Sequence, residues 1–178
     1  METNDLRMVE ENFQFDIRAS GILWNEETDD ILLSRENDKQ VIQVLLGGAV
    51  KRLETSRQAV VREMLEETAY ETEIVRLLAL IESTFSIEGN TDKAYQQINF
   101  VYLLKRVAHS DRHKIVAAEE KVRPVWKHRK EVKNVKPTML NENIAEFPSS
   151  VRWTYYRRCK LLNTVYQEVV QKPFSFEY

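Results

Sequence analysis

Glu63, Glu66 and Glu67 crowd into one short segment whose residues are otherwise suited to a helix. At about 100° per residue the three acids share an arc of about 100° on one flank, while Val61 and Leu65 point to the opposite side. Like charges three and four residues apart repel by roughly a few tenths of a kcal/mol per pair. The acids also sit in the later turns, where the helix macrodipole is negative and disfavours them. A helix selected for stability alone would disperse them. Hard divalent cations such as Mg²⁺ are held by carboxylate oxygens and water, so a cation site is one reading of the cluster. The other is a solvated face whose glutamates pair with Arg or Lys, and spacing alone leaves both open.

The elements that must position these acids can be read from turn and capping signals. Thr55 as N-cap, with Gln58 three residues on, forms a capping box and predicts a helix to about Thr68. Val41 to Leu46 is a candidate strand that runs into Gly47-Gly48, where a tight loop is expected. Upstream, Asp16 to Trp24 and Asp30 to Ser34 are strands joined by the polar turn Asn25 to Asp29. Downstream, Glu73 to Ile81 is apolar and reads as a strand, although Leu77, Leu78 and Leu80 also allow a helix. Gln96 to Leu104 alternates with Ile98, Phe100, Tyr102 and Leu104 on one face and is a predicted strand. The intervening Ser83 to Tyr95, centred on Gly89-Asn90-Thr91-Asp92, is expected to be an exposed loop, with Phe85 and Tyr95 flanking it as candidates to stack on a base or sugar. Val122 to Trp126 is a further strand, Pro137 to Phe147 a short helix opened by its proline, and Val151 to Gln171 a long amphipathic helix ended by Pro173. That order predicts an α/β sandwich with a mixed sheet, in one domain spanning residues 1–178.

Composition agrees with this and removes other classes. The chain has 178 residues, 43% hydrophobic and 30% charged, with only four Gly and four Pro, which excludes disordered and collagen-like chains. No apolar run approaches the roughly 18 residues needed to cross a bilayer, so no membrane association is expected. Met1 to Glu11 is acidic and polar, unlike a secretory signal, and a cytoplasmic location is expected. The single Cys159 forms no internal disulfide and is predicted to be an ordinary helix residue. Net charge is −2, but residues 1–92 carry nine basic against twenty acidic residues and residues 93–178 carry seventeen against eight. A basic segment opposite an acidic site suits a phosphate-bearing ligand. The basic residues lack interleaved glycines and stacking aromatics, so no nucleic-acid partner is expected. His109 and His113 are spaced as zinc ligands can be, but no third ligand accompanies them and they are expected at the surface. Trp153, Tyr155, Tyr156 and Tyr166 are expected in the core or a dimer contact.

The segment from Gly48 to Tyr70, GAVKRLETSRQAVVREMLEETAY, resembles the Nudix box, Gly-x5-Glu-x7-Arg-Glu-U-x-Glu-Glu-x-Gly-U with U apolar. Gly48, Glu54, Arg62, Glu63, Glu66 and Glu67 fill the matching positions, Met64 the first apolar slot and Tyr70 an aromatic version of the last. Ile17 to Trp24 with Ile31 to Arg35 looks like the first hairpin of bacterial Nudix hydrolases. Leu80 to Phe85 with Gln97 to Phe100 is similar to the strands after the box. The chain departs from the pattern at Ala69, where the box has its last Gly. It also departs at Lys51-Arg52-Leu53, which replaces an acidic, glycine-containing turn, and at Gln97, where relatives often have Glu. The downstream markers of ADP-ribose, NADH and diadenosine polyphosphate hydrolases are missing, and no proline occurs before Pro124.

The resemblance implies a Nudix-type α/β/α sandwich and Mg²⁺- or Mn²⁺-dependent hydrolysis of a diphosphate linked to another group, with a small nucleotide or related diphosphate as substrate. It assigns metal binding to Glu63, Glu66, Glu67 and the backbone carbonyl of Gly48. Arg62 would orient the cluster and Glu54 would brace the loop against the helix. Glu63 is the first candidate to take the proton of the attacking water, with Glu82, Glu119 and Glu120 as candidates outside the box. Homodimers are common in the family. Ala69 and Gln97 motivate a second expectation, a catalytically weak Nudix-fold module that binds a nucleotide as a sensor or interaction domain.

Overall fold

Two long runs of β-branched and aromatic residues become, in the computed structural model, the longest strands of one mixed sheet. The structure describes residues 4–35, 43–87, 90–107, 123–133, 135–136, 140–147, 151–158 and 170–174. The strands are β1 (Arg7–Val9), β2 (Phe13–Asn25), β3 (Asp30–Arg35), β4 (Gln43–Val44), β5 (Leu46–Ala49), β6 (Thr72–Ile87), β7 (Asn90–Arg106), β8 (Arg123–His128), β9 (Val135–Lys136), β10 (Val151–Arg158) and β11 (Val170–Phe174). The helices are α1 (Ser56–Thr68) and α2 (Leu140–Glu146). The sheet runs β11-β10-β6-β7-β2-β3-β4-β9, with β1 and β5 also paired to β2 and β8 to β3. Parallel pairing joins β2 to β7, β10 to β6 and β4 to β9; the remaining pairs are antiparallel.

Period-two alternation divides the core between the two faces. On one, Ile22, Leu33, Val101 and Leu103 pack with Leu140 and Ile144 of α2. On the other, Leu23, Leu32, Tyr102 and Leu104 pack with Ala59, Val60 and Met64 of α1. Each fully buried Leu or Ile contributes about 1.5–3 kcal/mol. With a helix on each face, the layers are those expected from the element order.

Four sequence expectations are corrected. Val151 to Arg158 is a strand, not the start of a long C-terminal helix; β10 pairs in parallel with the outer edge of β6. Its residues, VRWTYYRR, have high β propensity, and the backbone groups along β6 need partners, so tertiary pairing overrides the helical spacing. Ser83 to Ile87 and Asn90 to Tyr95 are strand and not an exposed loop either, while Glu88 and Gly89 lie outside the described residues. β6 and β7 continue into one antiparallel hairpin, with Phe85 opposite Tyr95. Gly47-Gly48 does not end a strand in a loop but forms the middle of β5. Finally, the buried stripe of α1 is Ala59, Val60, Met64 and Thr68, whereas Leu65 is 48% exposed. Val61 and Leu65 are as apolar as Val60 and Met64, and the sheet decides which stripe is covered.

The predicted helix start is present in full. The Thr55 hydroxyl accepts from the Gln58 N–H at 3.2 Å, and the Gln58 side chain accepts from the Thr55 N–H at 2.9 Å. At the other end Ala69 adopts the left-handed conformation, φ 58°, and its N–H donates to the Leu65 carbonyl. Among the described residues no helix is long and apolar enough to cross a membrane. His109, His113, Glu119, Glu120, Cys159 and Tyr166 lie outside the described residues.

Candidate functional site

Pairing of β5 with β2, Gly48 opposite Ala19 and Gly47 opposite Ser20, lays the two glycines beneath α1. Gly47 has φ +138°, and a Cβ there would run into the Ala19 carbonyl. A Cβ on Gly48 would occupy the space of the Glu63 carboxylate. Only a bare backbone allows a strand and a carboxylate to lie this close. The Gly47 N–H donates to Glu67 Oε2 at 2.8 Å, and Arg18 Nη2 donates to the Gly47 carbonyl at 2.7 Å.

Arg62 is the hub of the acid cluster. Its Nε donates to Glu54 Oε1 at 2.7 Å and its Nη2 to Glu54 Oε2 at 2.9 Å, a bidentate fork. Nη2 also reaches the Ala49 carbonyl at 3.1 Å, and Nη1 bridges Glu63 Oε1 at 2.5 Å and Glu66 Oε2 at 3.1 Å. Glu54 accepts the Lys51 N–H at 2.9 Å, which closes the turn before the helix. The fork from Arg62 holds the Glu54 carboxyl below its ordinary pKa despite burial, and the same bonds hold the guanidinium above its own. The side chains of Glu54, Glu63 and Arg62 are 14%, 15% and 21% exposed, and that of Glu66 is 50% exposed. Glu66 is therefore the carboxylate open to solvent. Lys51 Nζ lies 3.9 Å from its second oxygen.

Gly48, Glu54, Arg62, Glu63, Glu66 and Glu67 thus meet on one side of α1, where the helix crosses β5. Among the described residues no three acidic, histidine or cysteine side chains are grouped tightly enough to hold an ion as they stand. Glu63 and Glu66 share Arg62 Nη1 instead. The donor set nevertheless fits a hard divalent cation, since it offers carboxylate and carbonyl oxygens and no sulfur or imidazole. The groove that a Cβ on Gly48 would fill keeps the Glu63 carboxylate beside the backbone. Nε and Nη2 of Arg62 are held by Glu54 and Ala49, so the Glu63 and Glu66 carboxylates, which meet the guanidinium only at Nη1, are the groups whose side chains can turn toward an ion.

Other candidates are distributed by the strand register. Glu82 pairs opposite Ile98, on the face carrying Phe100 and Tyr102, which is the side of α1. Gln97 falls in the alternate set with Asn99 and Val101, on the face turned away from α1. Phe85 and Tyr95 stack on each other, with ring centroids 5.5 Å apart and planes 12° from parallel. A cleft lined by Trp24, Glu26, Glu27, Lys105, Arg106 and Trp126 shares no residue with the acid cluster. Arg18 was not among the predicted site residues. Its signal is the one charged residue in the strand segment Ile17 to Leu23.

The NUDIX domain family matches residues 15–149, well over half of the chain. A sequence comparison with curated proteins finds no match. Among solved structures the chain resembles a NUDIX hydrolase from Nitrosomonas europaea, with TM-score 0.59 and 15% identity over 80% of this chain and 79% of that one. It also resembles a mutator MutT protein from Bacillus halodurans, with TM-score 0.58 and 14% identity over 87% and 94%. A UDP-X diphosphatase aligns with TM-score 0.51 and 16% identity over 72% of this chain, which spans 59% of the length of that enzyme. At these identities the structural likeness speaks for the fold. The match over residues 15–149, together with the filled box on β5 and α1, makes the chain a member of the Nudix family.

Proposed function

We propose that this protein is a Mg²⁺-dependent hydrolase that cleaves a nucleoside diphosphate linked to another moiety by attack of water on phosphorus, with Mn²⁺ as an alternative ion. The observation that supports it most is the Arg62 fork, which ties Glu54, Glu63 and Glu66 together on the flank where Glu67 meets the β5 glycines. Glu63, Glu66, Glu67 and the Gly48 carbonyl would hold the ion. When bound, it supplies charge neutralisation between the acids and the diphosphate and lowers the pKa of a bound water.

The protein's own residues have separate tasks. Glu54 fixes the turn after β5 and holds two guanidinium nitrogens. Arg62 keeps neighbouring carboxylates from splaying under their mutual repulsion. Glu63 accepts the proton as the water oxygen bonds to phosphorus and the bridging P–O bond breaks, the leaving phosphate taking the electron pair. Glu66, half exposed, faces the solvent side from which a charged substrate arrives. The substrate is a small nucleotide, sugar nucleotide or related diphosphate.

The second reading, a binding module with little turnover, draws on Ala69. Gln97 gives it less support, because its register faces away from α1. A panel of nucleoside triphosphates, sugar nucleotides and ADP-ribose with Mg²⁺ or Mn²⁺, read by mass spectrometry, separates the two. Phosphate-containing products support the hydrolase. Ligand-induced thermal shifts without products support the module.

A further inference from the structure

Arg18 belongs to no part of the box and yet touches it. Strand alternation places it with Ile22 on the sheet face turned away from α1, and its Nη2 donates to the Gly47 carbonyl at 2.7 Å. Among the described residues this is the guanidinium's one hydrogen bond. On the other side of the same residue, the Gly47 N–H donates to Glu67 Oε2 at 2.8 Å. Arg18 therefore holds the Gly47–Gly48 peptide, Glu67 holds the Leu46–Gly47 peptide, and the torsions of Gly47 connect them. Gly47 lies at φ +138°, a backbone conformation open to glycine and rarely adopted by other residues.

We infer that Arg18 is a positioning residue for the acid cluster, acting through Gly47 to fix Glu67 and the neighbouring Gly48 backbone. The inference rests on the proposed role of Glu67 in holding the cation. Three features favour orientation over a purely structural ion pair. Among the described residues Arg18 binds a carbonyl and no acid, so its charge polarises a peptide. It places a charged side chain between Ile17 and Ala19, both packed with the core on the α1 side of the sheet. It also contacts a residue whose own N–H is bonded to Glu67. Loss of a group that orients a metal ligand typically costs about 10–100-fold in metal affinity or activity.

The test follows the Gly47 amide by ¹H–¹⁵N NMR in metal-free protein, together with Mn²⁺ affinity by electron paramagnetic resonance. In wild type this proton is expected downfield and slow to exchange, as a bond to a carboxylate makes it. Arg18→Met is expected to move it upfield, speed its exchange and weaken Mn²⁺ binding about 10-fold. Glu67→Gln should move the same resonance in the same direction, and Arg18→Lys should restore most of the wild-type shift. An Arg18→Met protein whose Gly47 amide is unchanged overturns the inference, whatever happens to its turnover. If Arg18→Met does not fold, Arg18→Gln is read in the same way, and an unchanged amide there has the same force. The amide signal needs neither ion nor substrate. A responding amide in a protein that releases no products would leave the relay standing and remove the hydrolase reading.

Discussion

Arg62 and Arg129 both fork onto a carboxylate, but their surroundings differ in the balance of charge. Arg129 donates to Asp29 at 2.7 Å from Nε and 3.1 Å from Nη2, while Trp24 Nε1 donates to the same carboxylate at 3.1 Å. That carboxylate has its donors, and the guanidinium lies 4.8 Å over the ring of Phe147, itself edge-on to Trp24. The arrangement clasps the β2–β3 turn to the 3-10 turn Arg129–Glu131 and to the end of α2. Arg62 instead faces Glu54, Glu63 and Glu66, with Glu67 one turn along. A fold that needs only a clasp stops at a satisfied pair. Glu54, Glu63, Glu66 and Glu67 outnumber the two cations beside them, Arg62 and Lys51, and the acids left over are what a cation and a diphosphate require.

The largest effect expected from this contrast is at the surplus. Glu66→Gln or Glu67→Gln should lower turnover by roughly three orders of magnitude, about 4 kcal/mol, with the melting temperature nearly unchanged. Rates at saturating Mg²⁺ that match wild type would sink the metal assignment. Arg62→Ala should cost stability as well, by about 3 kcal/mol, because it leaves half-buried carboxylates facing each other; chemical denaturation measures it. Arg129→Met should reverse the pattern, lowering the melting temperature while kcat/KM stays within about twofold of wild type. A variant that lost activity while keeping its melting temperature would dissolve the distinction between the two arginines.

The clasp also has a pH signature. The Arg129 bond holds the Asp29 carboxyl below its ordinary value of 3.8. A depressed folded pKa adds stability that is present above 3.8 and is lost as pH falls through the lower folded value. Melting temperatures taken from pH 5 downward should therefore fall more steeply in wild type than in Arg129→Met, and parallel curves would refute the linkage. The smallest effect belongs to the helix end. Ala69 sits at φ 58°, so Ala69→Gly should relieve up to about 1 kcal/mol and raise the melting temperature by about 2–4 °C. Unfolding followed by circular dichroism would read it.

Much of the site was legible before folding because its signals are local. The spacing of Arg62, Glu63, Glu66 and Glu67 is set by helical geometry, and the start of that helix by Thr55 and Gln58, each acting over a few residues. Even the strained end at Ala69 follows from the missing glycine. The hairpin strands showed in alternation for the same reason. Arg18 was not legible, since nothing in the strand says which carbonyl its guanidinium reaches. The face assigned to Gln97 was likewise hidden until the β6–β7 and β2–β7 registers were fixed.

By itself, then, the sequence determined the composition of the acid cluster, the helix that carries it and the family to which the chain belongs. Tertiary structure decided that Val60 and Met64, not Val61 and Leu65, form the buried stripe, that Gly47-Gly48 lies inside a strand, and that Val151 to Arg158 joins the sheet. The physical reason is range. Capping and helical periodicity are settled within one or two turns of chain, whereas burial and strand pairing depend on which distant segment supplies the facing surface and the missing hydrogen-bond partners.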